Sequence, residues 1–269
     1  MRRFRACSRK TSNARAGKMP TLRLKNMNLH DLIEQILKET NYDENPYFVN
    51  LREKTFAKDD FVETQIQFFY AVVFFSRPMA ALAAKIPTPE LRLEVLRNVW
   101  EEHGEGSLTH GHGKTFLEFL KRLGNISEDD VYLRGLWADV RIFNTTLSGA
   151  AVLDDFIIAV GVLGIIERMF SDISAWIGQG VIGNEWLTED EMIHYKLHQE
   201  LDIKHSEDFF KILENPYKKS AENRYLIEQG LRLGATLFNN LYLGLWRQRQ
   251  TRWILDAPFV TSQAADYVP

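Results

Sequence analysis

Six of the seven histidines in this chain fall in two short windows, and each window also contains carboxylates. The first window covers residues 101–112 and the second covers residues 194–205. Imidazole nitrogens and carboxylate oxygens together form the ligand set that proteins use for iron, manganese and zinc. The two windows therefore predict a metal-dependent enzyme, and the remaining sequence has to supply the scaffold that positions these groups.

The second window contains a compact motif in which His198, Asp202 and His205 lie at offsets 0, 4 and 7. On a helix these side chains project within an arc of about 60°, so they form one stripe over two turns. The alternative interpretation is that these three residues form a solvated, charged helix face. Apolar residues flank the stripe, however: Leu197, Leu201, Phe209 and Phe210. Because a partly buried stripe cannot keep such groups without a partner, we interpret the motif as metal ligands, with His194 as a supporting group.

The first window leaves several ligand choices open. Its candidates are Glu102, His103, Glu105, His110 and His112. Glu102 and His112 would lie about 80° apart on an unbroken helix, whereas Glu105 and His112 would align better. Gly104 and Gly106 predict a break between them, however, so helical spacing alone does not select the pair.

A third candidate, Glu167, lies in an apolar segment of residues 151–177. An ionised carboxylate in such a setting needs a cation or a hydrogen-bonding partner, or else it becomes protonated. Arg168 is adjacent in sequence but points about 100° away on a helix. A metal ion and a salt bridge to another helix are both compatible with this position.

The segments that carry these residues all show helical periodicity, and no alternating segment bounded by a hairpin turn indicates a strand. The predicted helices cover residues 29–38, 59–84, 88 onward into the first window, 108–123, 136–149, 151–177, 189–213 and 221–249. Asn28 would cap the first helix and Pro78 would kink the second. Gly230 and Gly234, one turn apart, indicate a close approach between helices. We therefore expect an all-α fold, a single helical bundle of about seven helices.

The N-terminal stretch differs from the rest in charge. Residues 1–18 carry seven basic side chains and no acidic one, although the whole chain has a net charge of -3. The stretch resembles a mitochondrial transit peptide, but we favour a disordered basic tail or translation that begins at Met19, because such tails are common. We interpret residues 1–20 as a basic tail and residues 21–269 as the helical domain.

The amino-acid composition limits the classes of protein to which the chain can belong. Apolar residues make up 45% and charged residues 26% of the chain, and the net charge gives no indication of a nucleic-acid partner. Cys7 is the only cysteine, which excludes disulfides, zinc–thiolate sites and iron–sulfur clusters and favours a cytoplasmic location. The apolar runs of residues 66–75 and 156–166 are too short to span a bilayer. We therefore expect a soluble protein without a membrane partner, as a monomer or a homodimer.

With these segments in view, the chain resembles the haem-oxygenase-like diiron oxidases and oxygenases. This superfamily shares its fold with the TenA thiaminases and the pyrroloquinoline-quinone synthases. The resemblance covers most of residues 58–213. Its motifs are an Asn before an acidic pair, a glycine-rich break, a histidine about twelve residues before Leu-Gly, a mid-chain glutamate and HxxxDxxH. They match Asn98, Glu101, Glu102, His112, Leu123, Gly124, Glu167, His198, Asp202 and His205.

The resemblance implies six metal ligands: Glu102, His112, Glu167, His198, Asp202 and His205. It also implies two Fe(II) ions as cofactors, with manganese as the other ion that suits these ligands. The partners would be O2 and a small-molecule substrate such as an amino acid, a fatty acid or a related carboxylate or amine. The rival interpretations are a metal-free cofactor-biosynthesis enzyme like TenA or the quinone synthases, and a non-catalytic protein-interaction member of the fold.

Two further positions bear on the branch of the superfamily. The thiaminases rely on a nucleophilic cysteine, for which Cys7 in a basic tail is a poor substitute. Members that make para-aminobenzoate from their own tyrosine place Tyr directly before the mid-chain glutamate, where this chain has Ile166. The resemblance therefore favours an oxidase or oxygenase that acts on an external substrate.

Overall fold

A computed structural model describes residues 27–258, apart from the side chains of residue 193 and residues 197–201. The described residues form ten α-helices, three short 3-10 turns and no β-strand, so the all-α prediction is confirmed. The helices are α1 (Leu29–Thr40), α2 (Pro46–Arg52), α3 (Lys58–Lys85), α4 (Pro89–Glu102), α5 (His112–Gly124), α6 (Glu128–Tyr132), α7 (Ala138–Leu153), α8 (Phe156–Gly183), α9 (Ile193–Lys219) and α10 (Ala221–Gln248). The predicted tail of residues 1–20 lies outside the described residues.

The helix count is higher than the sequence predicts because two short helices, α2 and α6, have too few positions to show a periodicity. The segment predicted from residue 189 instead starts with a 3-10 turn at Glu189–Glu191, and α9 begins at Ile193. Helix α9 also runs past the predicted end at residue 213 and continues through Pro216. Asn28 caps α1 by accepting a hydrogen bond from the Asp31 amide, as predicted.

Helix α8 is the centre of the bundle, and its side chains are buried on nearly every face. It packs along its length between α9 and α10. Helix α3 covers the other side of the core, where it contacts α4, α5 and α7. These contacts bring α4, α5, α8 and α9, which carry the candidate ligands, around one point of the interior.

Helix α3 is the one helix in the described part of the chain that is long and apolar enough to cross a membrane by length and composition. It has 28 residues and so extends well beyond the apolar run of residues 66–75. Just over half of its most apolar stretch, 56%, is buried inside the fold. Ile66, Phe68 and Phe69 of this run are buried in the core.

Glycines allow α10 to lie directly on the backbone of α8, as the sequence predicts. A Cβ atom at Gly230 would lie 2.3 Å from the Ile158 carbonyl oxygen, and one at Gly234 would lie 2.5 Å from the Val162 carbonyl oxygen. Both distances are far below van der Waals contact, so no side chain fits at either position.

A third glycine allows α9 to lie close to the opposite face of α8. A Cβ atom at Gly164 would lie 2.8 Å from the Cβ atom of Phe209 on α9. Because Gly164 precedes Glu167 by one turn, this close approach brings the Glu167 carboxyl group against α9.

We expect Gly230→Ala to lower the free energy of unfolding by about 1–3 kcal/mol, because the added methyl group must push α10 away from α8. Thermal or urea unfolding followed by circular dichroism measures the change. Gly149→Ala is the matched control, because Gly149 is also helical and its added Cβ has no neighbour within 4 Å. The control should be stabilised by about 0.5–1 kcal/mol. Equal effects in the two variants would contradict the close approach.

Candidate metal centre

A sharp break between α4 and α5 brings the two ends of the first window together. Gly104, Glu105 and Gly106 all have positive φ angles, of 69°, 54° and 87°. The chain reverses there, and the Glu102 Oε1 atom lies 2.9 Å from the His112 Nδ1 atom. Both side chains are buried. The predicted break is thereby confirmed, and it explains why helical spacing could not identify this pair.

The other candidates of this window lie on the surface. Glu105, His103 and His110 are exposed. The His103 Nδ1 atom lies 2.7 Å from the Val99 carbonyl oxygen, one turn back on α4. The structure therefore separates these three residues from the buried pair.

Helices α8 and α9 contribute a second group of buried ligand-type atoms. Glu167, Asp202 and His205 each offer one such atom, and the three atoms lie within 4.8 Å of one another. The His205 Nδ1 atom is 3.8 Å from Asp202 Oδ1 and 3.9 Å from Glu167 Oε2. The structure thus brings together residues that are up to 38 positions apart in sequence.

The side chain of His198, the sixth predicted ligand, lies outside the described residues, although its backbone belongs to α9. His194, predicted as a supporting group, is fully buried. Its Nδ1 atom is 3.0 Å from the Thr115 hydroxyl on α5, and its ring centroid is 6.2 Å from that of His112. It therefore packs beside a predicted ligand and ties α9 to α5.

Two residues of α4 hold the predicted ligands, and the sequence alone did not show either contact. The Glu101 Oε2 atom lies 2.5 Å from His205 Nε2, on the side of the ring opposite Asp202. The Asn98 amide donates a hydrogen bond of 3.1 Å to Glu167 Oε1. The sequence signal available was the spacing of Asn98, Glu101 and Glu102 at i, i+3 and i+4, which places all three on one helix face.

Burial dominates the electrostatics of this cluster. It raises the pKa of Glu167 well above the ordinary value, and the nearby Asp202 raises it further. The pKa of Asp202 is also raised, by burial and then by Glu102, and Asp202 hydrogen-bonds Glu167. A hydrogen bond between two carboxyl groups requires a proton on one of them. Without a cation, this site must therefore retain protons.

The pKa of His112 is raised for a different reason. Burial is the largest single cause and acts to lower this pKa, but the charge and hydrogen bond of the Glu102 carboxylate, with smaller contributions from Asp202 and Glu101, together raise it. Protons on His112 and on the buried carboxyl groups thus supply the positive charge that a metal ion would otherwise provide. The nitrogen and carboxylate donors suit iron, so the residues fit a metal.

Two cavities meet at Glu102 and His112. The smaller has a volume of about 40 Å³, and aromatic side chains, including Phe68 and Phe170, enclose it next to Glu167. The larger has a volume of about 590 Å³. Helix α3 forms a wall of both cavities: Phe68 lines the smaller and Phe69 the larger, and both are also buried in the core.

Comparison with known proteins gives a family and a fold. The model of a family described as "Iron-containing redox enzyme" matches residues 62–239. No curated protein sequence matches the chain significantly.

Solved structures with this fold share little sequence identity with the chain. A domain of unknown function with a haem-oxygenase-like fold from Shewanella denitrificans has a TM-score of 0.68 and 14% identity, covering 84% of this chain and 94% of its own. A TenA homologue from Pseudomonas syringae has a TM-score of 0.67 and 16% identity, with coverages of 87% and 98%. A TenA homologue from P. horikoshii has a TM-score of 0.64 and 16% identity, with coverages of 84% and 98%. The predicted haem-oxygenase-like fold is confirmed.

We expect Glu101→Ala to weaken Fe(II) binding by about 10- to 100-fold, because the His205 ring loses the carboxylate that fixes its orientation. Anaerobic titration with Fe(II) measures this affinity without turnover. Glu101→Gln should retain most of it, since the amide oxygen can accept the same hydrogen bond. Glu94→Ala, on the same helix, is the control, and an affinity of Glu101→Ala equal to that of this control would contradict the role of Glu101.

The raised pKa values also predict how stability depends on pH. Glu167 and Asp202 bind protons more tightly when folded, so metal-free protein should lose stability as pH rises above the ordinary carboxyl pKa of about 4. His112, with its raised pKa, acts in the same direction. Metal-free Asp202→Asn should lose less stability, so at pH 8 its melting temperature should be higher than that of metal-free wild type. Iron-loaded wild type should not show the loss, because the metal displaces the protons. A melting temperature of metal-free wild type that is independent of pH would contradict this account.

Proposed function

The chain belongs to the family of iron-containing redox enzymes, and we propose that it is a non-haem diiron oxidase or oxygenase that uses O2 to oxidise a small metabolite. The observation that carries this proposal is the buried convergence of carboxylates and histidines from α4, α5, α8 and α9. Apolar residues in the same positions would stabilise the bundle better than this cluster does. The cluster therefore indicates a function rather than a structural role.

The charge of the cluster supports two divalent ions rather than one. Glu101, Glu102, Glu167 and Asp202 together carry four negative charges when ionised. A buried site is stable only if such charge is closely balanced. Two Fe(II) ions supply four positive charges, whereas a single ion would leave two carboxylates unbalanced.

We propose that Glu102, His112, Glu167, Asp202 and His205 hold the ions, with His198 as the sixth ligand. Bound iron would supply the reduction of O2, which no side chain here can carry out. The protein's part is to keep the ligands in place. Asn98 restrains Glu167 through its amide, and Glu101 accepts from His205 Nε2, which leaves Nδ1 as the ligand atom.

The two cavities suggest a division of roles. The small cavity, of about 40 Å³, is lined by apolar side chains such as Phe68 and Phe170 together with Glu102, His112 and Glu167, so a diatomic molecule fits there beside the proposed ligands. The larger cavity has the size of an ordinary metabolite site. Because both reach Glu102 and His112, O2 and the metabolite would approach the same ions from different sides.

A metal-free enzyme like the TenA proteins is the second candidate, and the names of two structurally similar proteins favour it. The buried carboxyl groups oppose it, because without a cation they must hold protons at neutral pH. Iron content distinguishes the two candidates, and it also tests the non-catalytic alternative. A cytoplasmic location and a homodimeric state stay predictions.

We expect wild-type protein to retain about two irons per chain after anaerobic Fe(II) reconstitution and desalting, given the six proposed ligands. His205→Ala should lose most of this iron and its O2 consumption while remaining helical, since the residue contributes to coordination rather than to the apolar core. His110→Ala is the matched control and should behave as wild type, because His110 is exposed. Iron analysis and an oxygen electrode provide the readouts.

An iron content near zero in folded wild type would overturn the proposal and favour the TenA-like alternative. Equal iron loss in His205→Ala and His110→Ala would show that the assigned histidines are wrong. Iron bound at two per chain without O2 consumption, even with a broad panel of metabolites, would leave a storage or structural role.

A further inference from the structure

We propose that two copies of this chain associate through the outer face of α4, with the two α4 helices packed antiparallel across a twofold axis. A homodimer is one of the two states that the sequence predicts, and this face is a surface that suits it. Three features of the face carry the inference: an exposed apolar stripe, the fixed position of its tryptophan and the arrangement of its charges.

The outer face of α4 carries an apolar stripe. Leu93, Leu96 and Trp100 lie at i, i+3 and i+7, and they are 55%, 45% and 55% exposed. At about 100° per residue, the stripe lies about 160° around the helix from the buried residues Val95 and Asn98. The spacing is that of an a/d seam, through which one helix contacts another. One face of α4 therefore borders the candidate metal centre, and the opposite face has the pattern of a helix–helix contact.

Trp100 has a fixed position at one end of the stripe. A Cβ atom at Gly106 would lie 2.7 Å from the Trp100 ring, so the ring packs directly on the backbone of the reversal after α4. Gly106 has a φ of 87°, a conformation in which a side chain would be strained. An exposed side chain that is already ordered loses little conformational entropy on binding, and tryptophan is among the residues that contribute most to interfaces.

The exposed apolar area is large enough for a dimer interface. Leu108, two residues after Gly106, extends the stripe and is 74% exposed. Together, Leu108 and the three residues of the stripe expose roughly 500 Å² of apolar surface, a size that marks interaction sites on soluble proteins. Two copies would remove about 1,000 Å² from water, well over half of the area of ~1,600 Å² that a standard interface buries. The polar residues beside the stripe would supply the remainder.

The charges beside the stripe match a second copy in antiparallel orientation. Arg97 and Glu94 lie on the same flank of the stripe and are both partly exposed. A twofold axis through the middle of the stripe places equal flanks of the two helices together, with Leu96 facing Leu96 of the other copy. Arg97 of each copy then lies within about one turn of Glu94 of the other. Because the flank carries both signs of charge, it favours a copy of itself over a partner with a single sign.

The molecular mass of the full-length protein in solution tests the inference. Sedimentation velocity at about 1–100 µM should give the mass of two chains. Leu96→Glu should weaken association by about 100-fold or more, because two carboxylates would be buried against each other across the axis. Ile142→Glu is the matched control, since Ile142 is an aliphatic residue on α7 that is 57% exposed, and it should leave the dimer intact. Circular dichroism confirms that each variant is folded.

Two charge reversals test the antiparallel arrangement. Arg97→Glu and Glu94→Arg each place like charges on both sides of the axis, so each variant alone should associate about fivefold more weakly than wild type. An equimolar mixture of the two variants restores opposite charges across the axis. Mixed dimers should therefore exceed the share of about one half that random pairing gives. Native mass spectrometry with one variant isotopically labelled measures this share.

A protein that stays monomeric at about 100 µM would overturn the inference and leave the face to a different partner. A dimer that survives Leu96→Glu would also overturn it, because another surface would then join the copies. Random pairing in the mixture would overturn the antiparallel arrangement. This proposal and the proposed function fail separately, since a dimer that binds no iron would contradict only the function.

Discussion

The structure depends on one electrostatic constraint, the burial of several carboxyl groups inside an apolar helical bundle. Glu102, Glu167 and Asp202 cannot all be ionised there unless positive charge accompanies them. Burial and neighbouring carboxylates raise the pKa values of Glu167 and Asp202, and neighbouring carboxylates raise the pKa of His112, so in the protein alone bound protons meet this requirement. Metal ions would meet it more completely, and they would also account for the nitrogen donors.

The packing of the bundle keeps this costly cluster in a fixed geometry. Gly230 and Gly234 seat α10 on one side of α8, and Gly164 seats α9 on the other. Glu167 therefore has little freedom to move away from Asp202 and His205. The contacts from Asn98 and Glu101 extend the same restraint to α4. Metal-dependent chemistry requires that the ligands be held in place to within a fraction of an ångström.

The sequence predicts those features of the fold and the site that depend on the spacing of residues within one segment. The stripe of Asp202 and His205 is visible because it follows helical periodicity, and the break at Gly104 and Gly106 is visible because glycine adopts positive φ angles. Contacts between distant helices leave no such pattern, so the partners of Glu101 and Asn98 were not predicted. The pairing of Glu102 with His112 required the family resemblance, since a helix break removes the geometric rule. The two cavities depend on how α3, α5 and α7 pack, which no single segment encodes.

The contact between Glu101 and His205 has a consequence for how the protein matures. Glu102 and His112 are close in sequence, so joining them costs little loop-closure entropy. Glu101 and His205 are separated by 104 residues, and they meet only after α4 and α9 have found each other across the bundle. A complete site thus exists only in the native topology. Metal that needs ligands from both pairs would bind the native fold far more tightly than any earlier folding state. Metal binding would therefore shift the folding equilibrium toward the native bundle.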